Sequence, residues 1–112
     1  MGKNRIVKIR YQFSVGDKDE VWIIRDNGNI SMCRYRECCD EYVEEFFNAK
    51  EIKNLFEHVL KCMENTNESL ENEDGNVAIF YQDGSIIKIC SSLDDGTESI
   101  RDIIEGHILS VA

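Results

Sequence analysis

Proline is absent from this 112-residue sequence. No X-Pro isomerisation therefore enters its folding, and its turns must be made by Gly, Asn and Asp. Long apolar runs are absent as well. None approaches the roughly 20 residues that a bilayer-spanning helix requires, so no membrane association is expected. The opening Met-Gly-Lys-Asn-Arg-Ile has no apolar secretion-signal core and lacks the Ser/Thr that completes a myristoylation signal. A cytoplasmic location is the expectation. Five cysteines, an odd number without an export signal, argue against a disulfide framework and for free thiols.

The usual nucleotide and redox signatures are also missing. There is no Gly-x-Gly-x-x-Gly, no Gly-x4-Gly-Lys-Ser/Thr and no Cys-x-x-Cys. Asp74-Gly75-Asn76 and Asp94-Asp95-Gly96 lack the alternating ligands and terminal Glu of a calcium loop. No catalytic residue, cofactor or metal is assigned on sequence grounds.

What is present suits one globular domain over residues 1–112. The chain is 42% hydrophobic and 31% charged, too apolar for disorder and too polar for a membrane. Its charge is unevenly placed. Residues 1–36 hold eight Lys/Arg against four acids, net +4, which leaves −13 for the rest of a chain of net charge −9. A net-negative chain is poorly suited to neutralising phosphates, so direct nucleic-acid binding is not expected.

Periodicity predicts an α+β fold, with an antiparallel sheet of about five strands in the element order β-β-β-α-α-β-β-α. Val7, Ile9, Tyr11, Phe13 and Val15 alternate with mostly polar neighbours, the mark of a half-buried strand. Val21–Arg25 and Ile30–Tyr35 flank Asn27-Gly28, a strong hairpin signal. A two-residue turn there sets Trp22 opposite Cys33 and Ile24 opposite Ser31. Val77–Tyr81 and Ile86–Cys90 flank Asp83-Gly84 in the same manner, and the two hairpins align without a gap. Helix-like sequence follows each, which suggests a ββα unit used twice.

Between the hairpins, Ile52, Leu55, Phe56, Val59, Leu60 and Met63 form an amphipathic stripe. Val43, Phe46 and Phe47 lie out of phase with it. Asn48 and Glu51 can form a capping box, with a Phe47–Ile52 staple. Two helices are predicted, about 40–47 and 49–64, followed by a flexible acidic loop over 65–76. A last helix beginning near 95–97 carries Ile100, Ile103, Ile104, His107, Ile108 and Val111.

The faces Trp22/Ile24/Cys33/Tyr35 and Ala78/Phe80/Ile87/Ile89 are expected under the helices. The opposite faces, Val21/Ile23/Ile30/Met32 and Val77/Ile79/Tyr81/Ile86, are also apolar. This surplus predicts a second cover, either a homodimer or a protein partner.

Size and acidity point to a non-enzymatic protein–protein interaction module: a small inhibitor, an immunity factor or a nucleic-acid mimic. The candidate partner-binding row is Glu37, Asp40, Glu41, Glu44, Glu45 and Glu51, carboxylates assigned to the first helical segment and its approach. One alternative is a small-molecule binder or enzyme with a pocket between sheet and helices, lined by Trp22, Cys33, Tyr35 and His58. Another is a thiol or zinc protein using Cys33, Cys38 and Cys39, or His58 with Cys62.

Overall fold

The computed structural model describes residues 5–109, and Val111 of the last predicted helix lies outside the described residues. Its strands are β1 (Ile6–Val15), β2 (Lys18–Arg25), β3 (Asn29–Arg36), β4 (Glu41–Asn48), β5 (Val77–Tyr81) and β6 (Ile86–Ile89). Its helices are α1 (Ile52–Asn65) and α2 (Ile100–Ile108). The strands make one antiparallel sheet in the order β4-β3-β2-β1-β5-β6. The fold is thus α+β with six strands, one more than the periodicity predicts. No helix among the described residues is long and apolar enough to cross a membrane.

The additional strand replaces the helix predicted over 40–47. Glu41–Asn48 pairs with β3 along its whole length, from Asn29↔Asn48 to Arg36↔Glu41. Tyr42, Val43, Phe46 and Phe47 favour a pleated surface. Tyr35 and Tyr42 meet ring to edge across the pair at 5.4 Å, while Glu45 pairs with both Arg34 and Arg36. Cross-strand contacts of this kind override the helical preference of Glu. The Asn48 capping box therefore does not form. Asn48 instead donates from Nδ2 to Asn29 Oδ1, and the N-cap of α1 is Glu51, without a side-chain bond.

The turns decide which side chains are inside. Gly28 N–H donates to Arg25 O and Gly28 has φ +91°, so the β2–β3 turn has three residues rather than two. Trp22 therefore faces Met32, and Ile24 faces Ile30. This one-residue difference moves Ile30 and Met32 into the core and sends Cys33 and Tyr35 to the other face. The β5–β6 turn has the same form, with Gly84 N–H on Tyr81 O and φ +90°.

The two hairpins nevertheless point opposite ways. Val21 and Ile23 lie on the face away from the helices, whereas their alignment partners Val77 and Ile79 are fully buried beneath them. Ile30 is buried, and its counterpart Ile86 is exposed. Ala78 and Phe80 likewise lie opposite to expectation. With a strand rather than a helix after the first hairpin, the repeated ββα unit is not found.

α1 and α2 both pack on one side of the sheet. Their stripes, Ile52/Leu55/Phe56/Val59/Met63 and Ile100/Ile103/Ile104/Ile108, join Ile9, Tyr11, Trp22, Ile24, Ile79 and Ile89 in a single core. α2 begins later than predicted because Ser99 and Asp102 form a reciprocal capping box. The connection 66–76 is tied down by Thr66 Oγ1 on Asp94 O and by Asn76 Nδ2 on Gln12 O and Ser91 Oγ.

Candidate functional site

With both helices on one side, the other face of the sheet has no cover from the described chain. Register fixes which residues share it. One row runs across all six strands: Phe46, Ser31, Ile23, Arg10, Ala78 and Lys88. A neighbouring row holds Arg25, Lys8, Phe80 and Ile86, and the row on the other side holds Glu44, Cys33, Val21 and Gln12. Tyr35 and Tyr42 extend it at one end. Phe46 is 70% exposed, Ile86 54% and Tyr42 50%.

The charge on this face is opposite in sign to that of the chain. Its strand positions carry Lys8, Arg10, Arg25 and Lys88 against Asp19 and Glu44, within a protein of net charge −9. Lys8, Arg10 and Arg25 are adjacent on the two central strands. Lys8 Nζ lies 4.2 Å from the centre of the Phe80 ring, and Arg25 donates to Ser31 Oγ at 3.3 Å. These contacts hold the cations on the sheet, where their stems extend the apolar surface.

The sequence-predicted acidic row is dispersed. Glu37 and Asp40 lie in the β3–β4 turn, Glu44 is on the uncovered face, Glu41 and Glu45 are on the opposite face of β4, and Glu51 caps α1. The four pocket residues do not meet either. Trp22 is 2% exposed under the helices, set edge-on to Tyr11 and Phe13. Cys33 and Tyr35 face the other way, and His58 is on α1.

The cysteines are likewise apart. Cys38 and Cys39 are exposed in the β3–β4 turn with their sulfurs 3.7 Å from each other. Cys62 is buried against the Leu93 and Glu98 carbonyls, and burial, with nearby acids, pushes its thiol up to about 11. Among the described residues no three His, Cys, Asp or Glu side chains converge to hold a metal.

Two features escape sequence reasoning. Glu20 is buried on β2, where it accepts from Trp22 Nε1 at 2.6 Å and pairs with Arg34 at 3.3 Å. Glu98, His58 and His107 form a chain at the outer contact of α1 and α2, with His58 Nε2 bonded to Glu98 Oε1 and His58 Nδ1 placed 3.3 Å from His107 Nε2. His107 is held below its ordinary pKa, chiefly by burial and then by His58. The separations in sequence, 40 and 49 residues, leave no local signal for this chain. No family model, curated protein or solved structure matches the sequence.

Proposed function

We propose that the protein is a non-enzymatic interaction module whose uncovered sheet face receives an acidic protein partner. The observation that carries this reading is the pairing of exposed Phe46, Tyr42 and Ile86 with the Lys8/Arg10/Arg25 strip on an otherwise acidic chain. A sheet face left to solvent is ordinarily polar. Aromatic residues and arginine on one contiguous surface are the composition of interface centres.

The placement of the strip speaks to the kind of partner. It occupies the two central strands. A two-fold sandwich of two copies, centred on β1 and β2, sets the cations against their own copies, so a different, acidic protein is favoured over a homodimer. The same strip accelerates encounter with a negative surface through long-range attraction.

Affinity capture from the source cell, with quantitation across variants, tests the reading. A partner of net negative charge is expected, lost with Arg10→Glu/Arg25→Glu and with Phe46→Ser, retained with Glu57→Gln on α1, and weakened by salt. A partner retained by both face variants overturns the proposal. So does a dimer by light scattering that Phe46→Ser dissociates, because a second copy is then the occupant.

A further inference from the structure

The two edges of the sheet are finished differently. β6 has four residues, carries Lys88, and is bonded on its outer side by the connection before β5, with Asn72 N–H donating to Lys88 O at 2.9 Å. A short, charged and covered strand is the usual protection of a sheet edge. β4, at the other edge, has eight residues and pairs with β3 without a break in register. It holds no lysine, no proline and no bulge. Among the described residues nothing bonds its outer side.

Register fixes which groups point outward. Ala49 N–H donates to Gly28 O, and main-chain direction alternates along an antiparallel strand. Val43, Glu45 and Phe47 therefore bond towards β3. Tyr42, Glu44, Phe46 and Asn48 direct their N–H and C=O groups to the open edge, and all four residues are exposed. The Tyr42, Glu44 and Phe46 side chains stand on the uncovered sheet face. Each of these outward amides thus comes with a side chain that a neighbouring strand would contact.

Charge selects the occupant. β4 carries Glu41, Glu44 and Glu45 and no cation, and Glu37, Asp40 and Glu51 flank it in the adjoining turn and at the start of α1. Of the three on the strand, Glu45 alone has an ion-pair partner among the described residues. A second copy of β4 laid along this edge doubles the negative charge on one seam. A strand with Lys or Arg opposite Glu44 supplies the missing cation.

We propose that β4 is the docking edge for an extended basic segment of a partner protein, which joins the sheet as a further strand. The segment reads apolar-x-Lys/Arg-x-apolar, with its apolar side chains against Tyr42 and Phe46 and its cation against Glu44. Main-chain bonds hold it, and the alternate side chains give the selectivity. This docking does not rest on the acidic partner proposed for the Lys8/Arg10/Arg25 strip.

The probe is a synthetic peptide, Thr-Ile-Thr-Lys-Thr-Ile-Thr-Lys-Thr-Ile-Thr, titrated into the full chain while amide hydrogen exchange is read by NMR. In the free protein the Tyr42, Glu44 and Phe46 amides should exchange fast, and those of Val43, Glu45 and Phe47 slowly. Saturable binding is expected to slow the first three by more than about tenfold. N-methylation of the peptide's Ile and Lys amides removes the donors that face β4, keeps the charge, and should abolish binding. Glu44→Lys should weaken binding by about 3- to 10-fold and strengthen by a similar factor that of a peptide with Glu in place of Lys. Arg10→Glu/Arg25→Glu should not weaken it, so this docking and that of the cationic strip fail separately. The absence of saturable binding, binding without protection of Tyr42, Glu44 and Phe46, or equal binding of the N-methylated peptide overturns the proposal. So does a dimer by light scattering in which those amides are already protected, because a second copy then holds the edge.

Discussion

The backbones of Gly28 and Ala49 touch. Gly28 O accepts from Ala49 N–H at 2.9 Å, and a Cβ built on Gly28 falls 2.4 Å from Ala49 O. This contact anchors the exit of β4 against the β2–β3 turn and so sets where α1 begins.

Gly28 and Gly84 therefore form a matched pair. Both have φ near +90°, but the space beside Gly84 is open. Gly84→Ala should cost about 1–2 kcal/mol, the strain of a left-handed residue. Gly28→Ala adds backbone overlap and should cost about 2–4 kcal/mol in total. Urea unfolding of the two variants checks the difference, and equal losses remove the role assigned to Ala49.

Glu20 is the acid that the core tolerates, because the Trp22 indole donates to it and the Arg34 guanidinium pairs with it. Glu20→Ala leaves the buried indole N–H without an acceptor, at about 1–3 kcal/mol. Arg34 is one-third exposed and can turn to water, so it adds little. Glu20→Gln keeps an acceptor and should lose less. Chemical denaturation with Trp22 fluorescence, the lone tryptophan, measures both.

The turn before α2 depends on Asp95. Its carboxylate accepts from the Glu98 and Thr97 backbone N–H groups and from the Thr97 hydroxyl, which together hold it at about 2, below the ordinary 3.8. A depressed carboxylate contributes stability above its unfolded-state pKa and loses it as pH falls through the folded-state value. Stability should therefore decline between about pH 4 and pH 2, less steeply in Asp95→Asn, as followed by thermal melts across that range.

The cysteines should separate by reactivity. Cys62 is fully buried and its thiol is raised to about 11, whereas Cys38 and Cys39 are exposed. Iodoacetamide at mildly alkaline pH should alkylate Cys38 and Cys39 well before Cys62, because the thiolate is the reacting species. Mass spectrometry of the digested protein gives the order. Early labelling of Cys62 would place α1 and α2 in frequent separation.

Local pattern determined much of this fold by itself. The alternation of Val7 to Val15, the Gly turns at 28 and 84, and the stripe from Ile52 to Met63 each specify an element from neighbouring residues alone, because period and turn chemistry are local properties. Three things were decided only in the folded chain. Glu41–Asn48 became a strand because β3 offered a partner along its full length. The buried face of each strand followed from turn length, where one residue in the β2–β3 turn exchanged Cys33 for Met32. Glu98, His58 and His107 came together because α1 and α2 pack side by side on one face of the sheet. That same one-sided packing left the Phe46-to-Lys88 row uncovered. Sequence supplied the apolar surplus on the strands, and the placement of the helices determined which part of it stayed exposed.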